Sequence, residues 1–358
     1  MEPQRSTTSP SVYVMTYTEW VTFFGTEDME TTLATSGIDD TSRIHLLVYG
    51  ICLSLLAIIG LFDNGLVIVS VITTKKLQTP TNILVANLAL ADFLACAVFP
   101  SYAIAAIIIV IRGSSEFPLP LIISAIIINM VFVSMSVSRL TLLSIAAIRW
   151  YVITKSIRGH QGFHTPRKVT ILSVIIWTFS SIITPLLFTC TDHFNLVGLC
   201  IAYDPNKLII HVPDPSIKTL LLGIALIIFE LSILGTFYAL ILRFVLRHNR
   251  RMRAMYRAHT VKSRRKSQGN AQEIMFRREI EITKNLFLVV CIFALCWCPI
   301  LIYLLIPDNR NFYLYSLLLC ASNSVVNPII YGWRHPIFRE VFKKILCHSS
   351  EPLKSVNI

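Results

Sequence analysis

The sequence predicts an all-α protein: a bundle of seven transmembrane helices followed by a short amphipathic eighth. Three observations carry that expectation. The 358 residues are 54% hydrophobic and only 15% charged, where a soluble domain carries about a quarter, and the mean hydropathy is +0.65. Apolar runs recur at about 44–72, 82–109, 119–150, 168–190, 217–246, 280–306 and 312–333, each long enough to cross ~30 Å of hydrocarbon as a helix. Third, the basic residues fall in alternate connections. Helices are required because lipid offers no partner to an open backbone N–H or C=O.

Five of the spans hold polar residues that an apolar solvent makes costly. Span one has Asp63 and Asn64, about 100° apart around the helix. Span two has Asp92. Span three has Ser138, Arg139 and Arg149, and span five has Glu230. Span six holds Trp297 and Pro299, and span seven Asn323, Ser324, Asn327 and Pro328. Ionisable groups inside a membrane are functional candidates by default. After His335, the apolar residues Ile337, Phe338, Val341, Phe342, Ile345 and Leu346 follow the helical period, with Arg339, Lys343 and Lys344 between them. That pattern predicts a helix lying along the inner membrane surface. Cys347 at its end is a candidate for S-palmitoylation.

Charge sets the orientation. Residues 1–43 hold Glu2, Glu19, Glu27, Asp28, Glu30, Asp39 and Asp40 against Arg5 and Arg43. Lys75 and Lys76, then Lys155, Arg158, Arg167 and Lys168, then the run from Arg247 to Arg278, and finally Arg334, Arg339, Lys343 and Lys344 mark the other side. Lys and Arg in short loops mark the cytoplasmic face. The expected organisation is a flexible extracellular segment 1–43, a membrane domain 44–333 with a cytoplasmic loop 247–278, and a cytoplasmic helix and tail 334–358. The net charge of +12 is accounted for by topology and contact with anionic membrane lipid, and nucleic acid is excluded as a partner. No basic-then-apolar signal peptide opens the chain. Of the nine cysteines, most lie within spans as small apolar fillers. Cys190 and Cys200 border the second outer loop, where a disulfide is plausible; two free thiols are the alternative. No enzyme constellation is visible.

Several of these segments together resemble a known family. Gly60-Leu-Phe-Asp-Asn64-Gly-Leu-Val, Leu88-Ala-Leu-Ala-Asp92 and Trp177 resemble the markers of the first, second and fourth helices of rhodopsin-like (class A) G-protein-coupled receptors. Phe293-Ala-Leu-Cys-Trp297-Cys-Pro299 resembles that family's sixth helix. Asn327-Pro328-Ile-Ile-Tyr331, followed by Phe338, resembles its seventh and the start of its eighth. The resemblance covers about residues 45–347. Lys75-Lys76-Leu77, Thr81-Asn82-Ile83 and Ile330-Tyr331-Gly332 are most similar to the melatonin-receptor-like and related orphan branch.

The resemblance implies a plasma-membrane receptor whose extracellular ligand shifts a two-state bundle, opening its inner mouth to a heterotrimeric G protein. Arrestin is an implied partner. Asp92, Ser138, Asn323 and Asn327 fall where the family builds a sodium site, and their oxygens suit a hard cation; a hydrogen-bonded cluster without ion is the alternative. The implied switch comprises Arg149, Tyr238, Tyr331, Trp297, Pro299 and Pro328. The acidic neighbour that usually precedes Arg149 is Ile148 here, which leaves Glu279 as the expected partner across the bundle.

The departures from the family are informative. Its third-helix cysteine is Ser124 here. Val131 stands where amine receptors place Asp, and span seven has no lysine for a retinal Schiff base. The expected ligand pocket, Val131, Ser134, Met135, Leu226, Trp297, Ile300 and Tyr303, is mostly apolar and suits a lipid-like or uncharged small molecule or a peptide. Tyr238 places Glu230 at the family's span-five proline, and Arg149 places Arg139 at that proline's small apolar partner, beside Phe293. Arg139 and Glu230 are therefore expected to pair, because either charge alone in hydrocarbon costs at least about 2.5 kcal/mol and a pair can bond bidentately; Arg139 turned toward Asp92 is the alternative. Ser267 follows a basic run and is a candidate phosphorylation site. The terminal Val356-Asn357-Ile358 suits strand addition to a PDZ domain. A transporter is the first competing class, and a seven-helix protein acting in adhesion or dimerisation is the second, which the altered Ile148-Arg149-Trp150 keeps open.

Overall fold

A bundle in lipid turns apolar side chains outward as well as inward and gathers its polar ones inside, and the computed structural model does both around a core that is itself mostly apolar. It describes residues 40–112, 121–156, 165–190, 201–204, 207–210, 217–258, 284, 287–303, 305 and 310–347. By its internal contacts the chain divides into residues 1–44 and 45–358, and the bundle occupies the second unit. The helices are α1 (Asp40–Thr73), α2 (Pro80–Arg112), α3 (Leu121–Ser156), α4 (Pro166–Cys190), α5 (Ile217–Ala258), α6 (Phe287–Tyr303), α7 (Arg310–Arg334) and α8 (Pro336–Cys347). Among the described residues, α1 to α5 and α7 are each long and apolar enough to cross a membrane, and α6 is a shorter apolar helix. Large apolar side chains such as Ile58, Phe62, Val174, Ile182, Leu242 and Leu295 face outward, while Asn64, Asn87, Asp92, Ser138, Thr141, Ser324 and Asn327 are buried. With no water in the hydrocarbon, polar groups gain only by facing one another.

Local chemistry sets the helix ends. The chain leaves α1 through a single 3-10 turn, Lys75–Leu77, anchored by the fully buried Leu77. Pro80 and Pro166 open α2 and α4, first-turn positions where the missing N–H costs nothing. Thr79 Oγ1 and Thr165 Oγ1 accept from the backbone N–H of Asn82 and Lys168, both at 3.4 Å, capping the first turns. Pro100, Pro185 and Pro328 lie inside α2, α4 and α7, and Pro299 inside α6; each removes one backbone bond.

The structure departs from the sequence reading in three places. α5 continues to Ala258, so the first part of the basic stretch 247–278 extends the helix, as its Arg, Met and Ala content favours. The connection between α4 and α5, for which the sequence reading named no element, carries an antiparallel hairpin of β1 (Ile201–Asp204) and β2 (Lys207–Ile210), the one addition to an otherwise helical architecture among the described residues. The apolar face of α8 is spent largely inside the protein. Ile337, Phe338 and Val341 are buried in the same cluster as Ile330 and Tyr331 of α7, and Phe338 stacks on Tyr331 with centroids 6.1 Å apart. Gly332 allows this, since a side chain there would come within 3.0 Å of the Phe342 ring. Leu346 and Cys347 remain exposed at the end of α8. The expectations for residues 1–39, Ser267, Glu279, Cys200 and the terminal Val356-Asn357-Ile358 lie outside the described residues.

Candidate functional site

The polar residues stack in tiers along the bundle. The centre belongs to Arg139. Its Nε lies 3.2 Å from Glu230 Oε2, the side chains being 25% and 22% exposed, and its Cζ lies 5.2 Å from the centroid of the Trp297 ring. Trp297 in turn packs on the fully buried Phe293, with centroids 5.8 Å apart. One guanidinium therefore ties α3 to α5 by charge and to α6 by a cation–π contact. Arg139 and Glu230 thus face one another, and Arg139 does not turn to Asp92. The pairing is not bidentate as expected. The close contact runs from Nε to Oε2, and among the described residues neither of these buried atoms makes a geometric hydrogen bond, nor does the buried Trp297 Nε1.

Toward the basic end of the bundle, Asn327 Nδ2 donates to Asp92 Oδ2 at 2.8 Å. The Ser324 and Ser138 hydroxyls lie beside the same carboxylate, Ser138 Oγ being buried but outside hydrogen-bond geometry. Asn64 Nδ2 donates to the carbonyls of Gly60 and Ser324, both at 2.8 Å, which ties α1 to α7. Asn323 is buried in the same stretch of α7. A carboxylate and an uncommitted hydroxyl oxygen in one buried place fit a small hard cation.

At the basic end, Arg149 is buried and acts electrostatically on Tyr238, which is itself buried and packs on Phe287 at 5.2 Å. Tyr331 is buried with its hydroxyl unbonded among the described residues. At the opposite end, Val131, Ser134, Ile300 and Tyr303 are buried and Met135 is half-buried. Tyr303 packs against Tyr313 at 4.7 Å. Leu226 is the exception in the expected pocket, 43% exposed and on the outward side of α5 with Ile228 and Phe229.

Sequence reasoning missed two contacts. Asn87 donates through Nδ2 to Thr141 Oγ1 at 2.8 Å and accepts from Trp177 Nε1 at 2.9 Å, joining α2, α3 and α4. His45 Nδ1 and the Tyr315 hydroxyl meet at 2.7 Å, joining α1 and α7. An Asn within the apolar run Asn82–Ala91 was the available signal for the first. Asn87→Ala leaves a buried hydroxyl and an indole N–H unpaired, and is expected to cost about 1–3 kcal/mol, read as a lower melting temperature of purified protein while Asn82→Ala changes it less.

The sequence pattern described as "7 transmembrane receptor (rhodopsin family)" matches residues 63–331, three quarters of the chain. The chain belongs to the rhodopsin family of seven-transmembrane receptors. A GQ-coupled rhodopsin of Mizuhopecten yessoensis is 28% identical over 317 residues, 84% of this chain and 59% of that protein. This receptor therefore spans under two thirds of that relative's length. Somatostatin receptor type 5 of Bos taurus is 26% identical over 333 residues, 90% of this chain and 82% of the relative. The crystal structure of squid rhodopsin superimposes with a TM-score of 0.66 at 22% identity, covering 87% of this chain and 88% of that one, which supports the fold. The rhodopsin and somatostatin-receptor matches support the family and do not confirm the melatonin-receptor-like branch.

Proposed function

We propose that this receptor sits in the plasma membrane with its N-terminus outside and carries an extracellular signal to a heterotrimeric G protein. The ligand enters at the end lined by Val131, Ser134, Ile300 and Tyr303, and the G protein docks at the basic end around Arg149. The observation that carries this reading is the continuity of the tiers. Trp297 touches Arg139, Arg139 touches Glu230, and Phe293 beneath them belongs to one core cluster with Tyr238 and Tyr331. A ligand that binds one arrangement of α6 more tightly than the other shifts the population at the far end. The Arg139–Glu230 contact stands where the family has an apolar one, so repacking here exchanges charged contacts rather than methyl groups.

Asp92 and Ser138, with Asn323 and Asn327, would hold a sodium ion, whose chemistry there is to neutralise the carboxylate. Arrestin and a PDZ protein are further proposed partners, with Cys347 as an acylation site and Ser267 as a phosphorylation site. The Cys190–Cys200 disulfide is proposed as a closure within the α4–α5 connection.

The test is nucleotide exchange on purified G-protein classes by the receptor in lipid nanodiscs. Agonist-free exchange on at least one class is the expected result, and it is lost in Arg149→Ala. Replacing choline chloride by sodium chloride is expected to lower it, less so in Ser138→Ala. No exchange on any class would leave the adhesion or dimerisation reading in its place.

A further inference from the structure

We infer that the junction of Arg139, Glu230 and Trp297 is the polar floor of the ligand site. It takes a net-neutral head group that both donates and accepts hydrogen bonds, an amide or a hydroxyl on an otherwise apolar ligand. The inference rests on the receptor reading above and names the ligand class for its site.

Three buried polar atoms at this junction make no hydrogen bond among the described residues: Arg139 Nε, Trp297 Nε1 and Glu230 Oε2. The first two are donors and the third is an acceptor. They belong to side chains already in contact, 3.2 Å apart across the ion pair and 5.2 Å from guanidinium carbon to indole centroid. Buried polar groups in native structures are nearly always satisfied, and the exceptions call for an explanation. Two donors and one acceptor in one place are complemented by a group with two acceptor lone pairs and one donor hydrogen. A secondary amide has that inventory and so does a hydroxyl, while a primary amide has it with one further N–H.

Charge decides against the alternatives. The junction is already neutral, one guanidinium against one carboxylate. An anionic head would take Arg139 and leave Glu230 unpaired in hydrocarbon; a cationic head would take Glu230 and leave Arg139 with only the Trp297 ring. Either outcome strands an ion in a low-dielectric place. A neutral head adds no net charge and bonds to hydrogen-bonding capacity that the 3.2 Å charge contact between Nε and Oε2 does not use.

Position agrees. On α3, Arg139, Met135 and Val131 recur every fourth residue and so share a face. On α6, Trp297, Ile300 and Tyr303 recur every third. The two helices are the third and the sixth spans, one odd and one even, and so run antiparallel, so from the Arg139–Trp297 contact both rows climb together toward the end opposite the basic connections. An apolar tail placed along them meets Val131, Ile300 and Tyr303, all buried, with its polar head at the junction.

The experiment uses the full-length receptor in phosphatidylcholine nanodiscs with four probes sharing one tail: lauramide, lauryl alcohol, laurate and laurylamine. Saturable shifts in melting temperature and tryptophan fluorescence, relative to empty discs, give the affinities. The amide or the alcohol is expected to bind at least about tenfold tighter than either charged probe. Trp297→Phe keeps a ring beneath Arg139 and keeps the ion pair, but removes the indole donor. It is expected to weaken the neutral probes about tenfold. Arg139→Gln with Glu230→Gln is expected to narrow the gap between neutral and charged probes. A charged probe binding as tightly as the neutral ones, no effect of Trp297→Phe, or no saturable binding by either neutral probe overturns the inference. Nucleotide exchange measured on the same preparation separates the two readings: binding without exchange overturns the receptor function and keeps the ligand class, and exchange without binding does the reverse.

Discussion

Replacing Arg139 by alanine is expected to remove most of the folded receptor. The change leaves Glu230 facing hydrocarbon with its partner gone, and breaking a buried pair from one side costs about 3–5 kcal/mol. The cation–π contact with Trp297 is lost as well, worth a further ~0.5–2 kcal/mol. Against a total stability of about 5–15 kcal/mol, that is a large fraction. Glu230→Ala should be milder, because Arg139 keeps the Trp297 ring at 5.2 Å. The asymmetry is itself diagnostic, since a simple ion pair would lose about equally from either side. Arg139→Ile with Glu230→Leu should recover stability, as well-packed apolar residues commonly replace a buried pair at little cost. Leucine serves better than the family's proline, because α5 runs unbroken through residue 230 and a proline introduced into such a helix costs about 3 kcal/mol. Cell-surface expression and melting of purified variants measure this. Single variants that express and melt like the parent would show that the two charges are held by something other than each other.

That pair was legible in the sequence because lipid removes the option of solvating a charge. Two spans each carried an ion that hydrocarbon cannot hold alone, and the family resemblance, counted from Tyr238 and Arg149, set them opposite one another. The polar tier around Asp92 was legible through the same resemblance, which implied a shared site for Asp92, Ser138, Asn323 and Asn327. The bonding detail was not. Whether a guanidinium meets a carboxylate through one edge or two depends on rotamers and on the Trp297 ring, which no spacing encodes. The Asn87–Thr141–Trp177 bonds were missed because Asn, Thr and Trp each have ordinary roles in a span, and only the packing of α2, α3 and α4 makes them partners. Leu226 was placed in the pocket as one more apolar residue of α5, and apolar character does not distinguish a face turned to the pocket from one turned to lipid. The helical continuation of α5 lay in a basic run whose charge signalled topology and hid its helix propensity. The amphipathic pattern of α8 was clear, but periodicity alone cannot say whether an apolar face meets lipid or protein.

Gly60→Ala is expected to destabilise the bundle even though alanine is the better helix former by about 1 kcal/mol. A methyl at that position would run into the Cys96 Sγ and come within 3.2 Å of Val325 Cγ2. α1 therefore approaches α2 and α7 over a glycine, and small residues are what permit such approach in membranes. Overpacking costs about 1–3 kcal/mol, so the packing loss should outweigh the propensity gain. Cys96→Ala removes the sulfur and is expected to rescue most of the loss in the double variant. A residual defect should remain, because the added methyl would still lie 3.3 Å from the Cys96 Cβ. The consequence extends beyond stability. Gly60 O accepts from the Asn64 side chain, which also donates to Ser324 O of α7, beside the Asp92 carboxylate. Pushing α1 outward should loosen that tie, so Gly60→Ala is expected to weaken the sodium response of nucleotide exchange, and the Cys96→Ala rescue should return it. A Gly60→Ala protein that melts at or above the parent temperature would mean that α1 and α2 stand further apart, and the link from α1 to the polar tier would go with it.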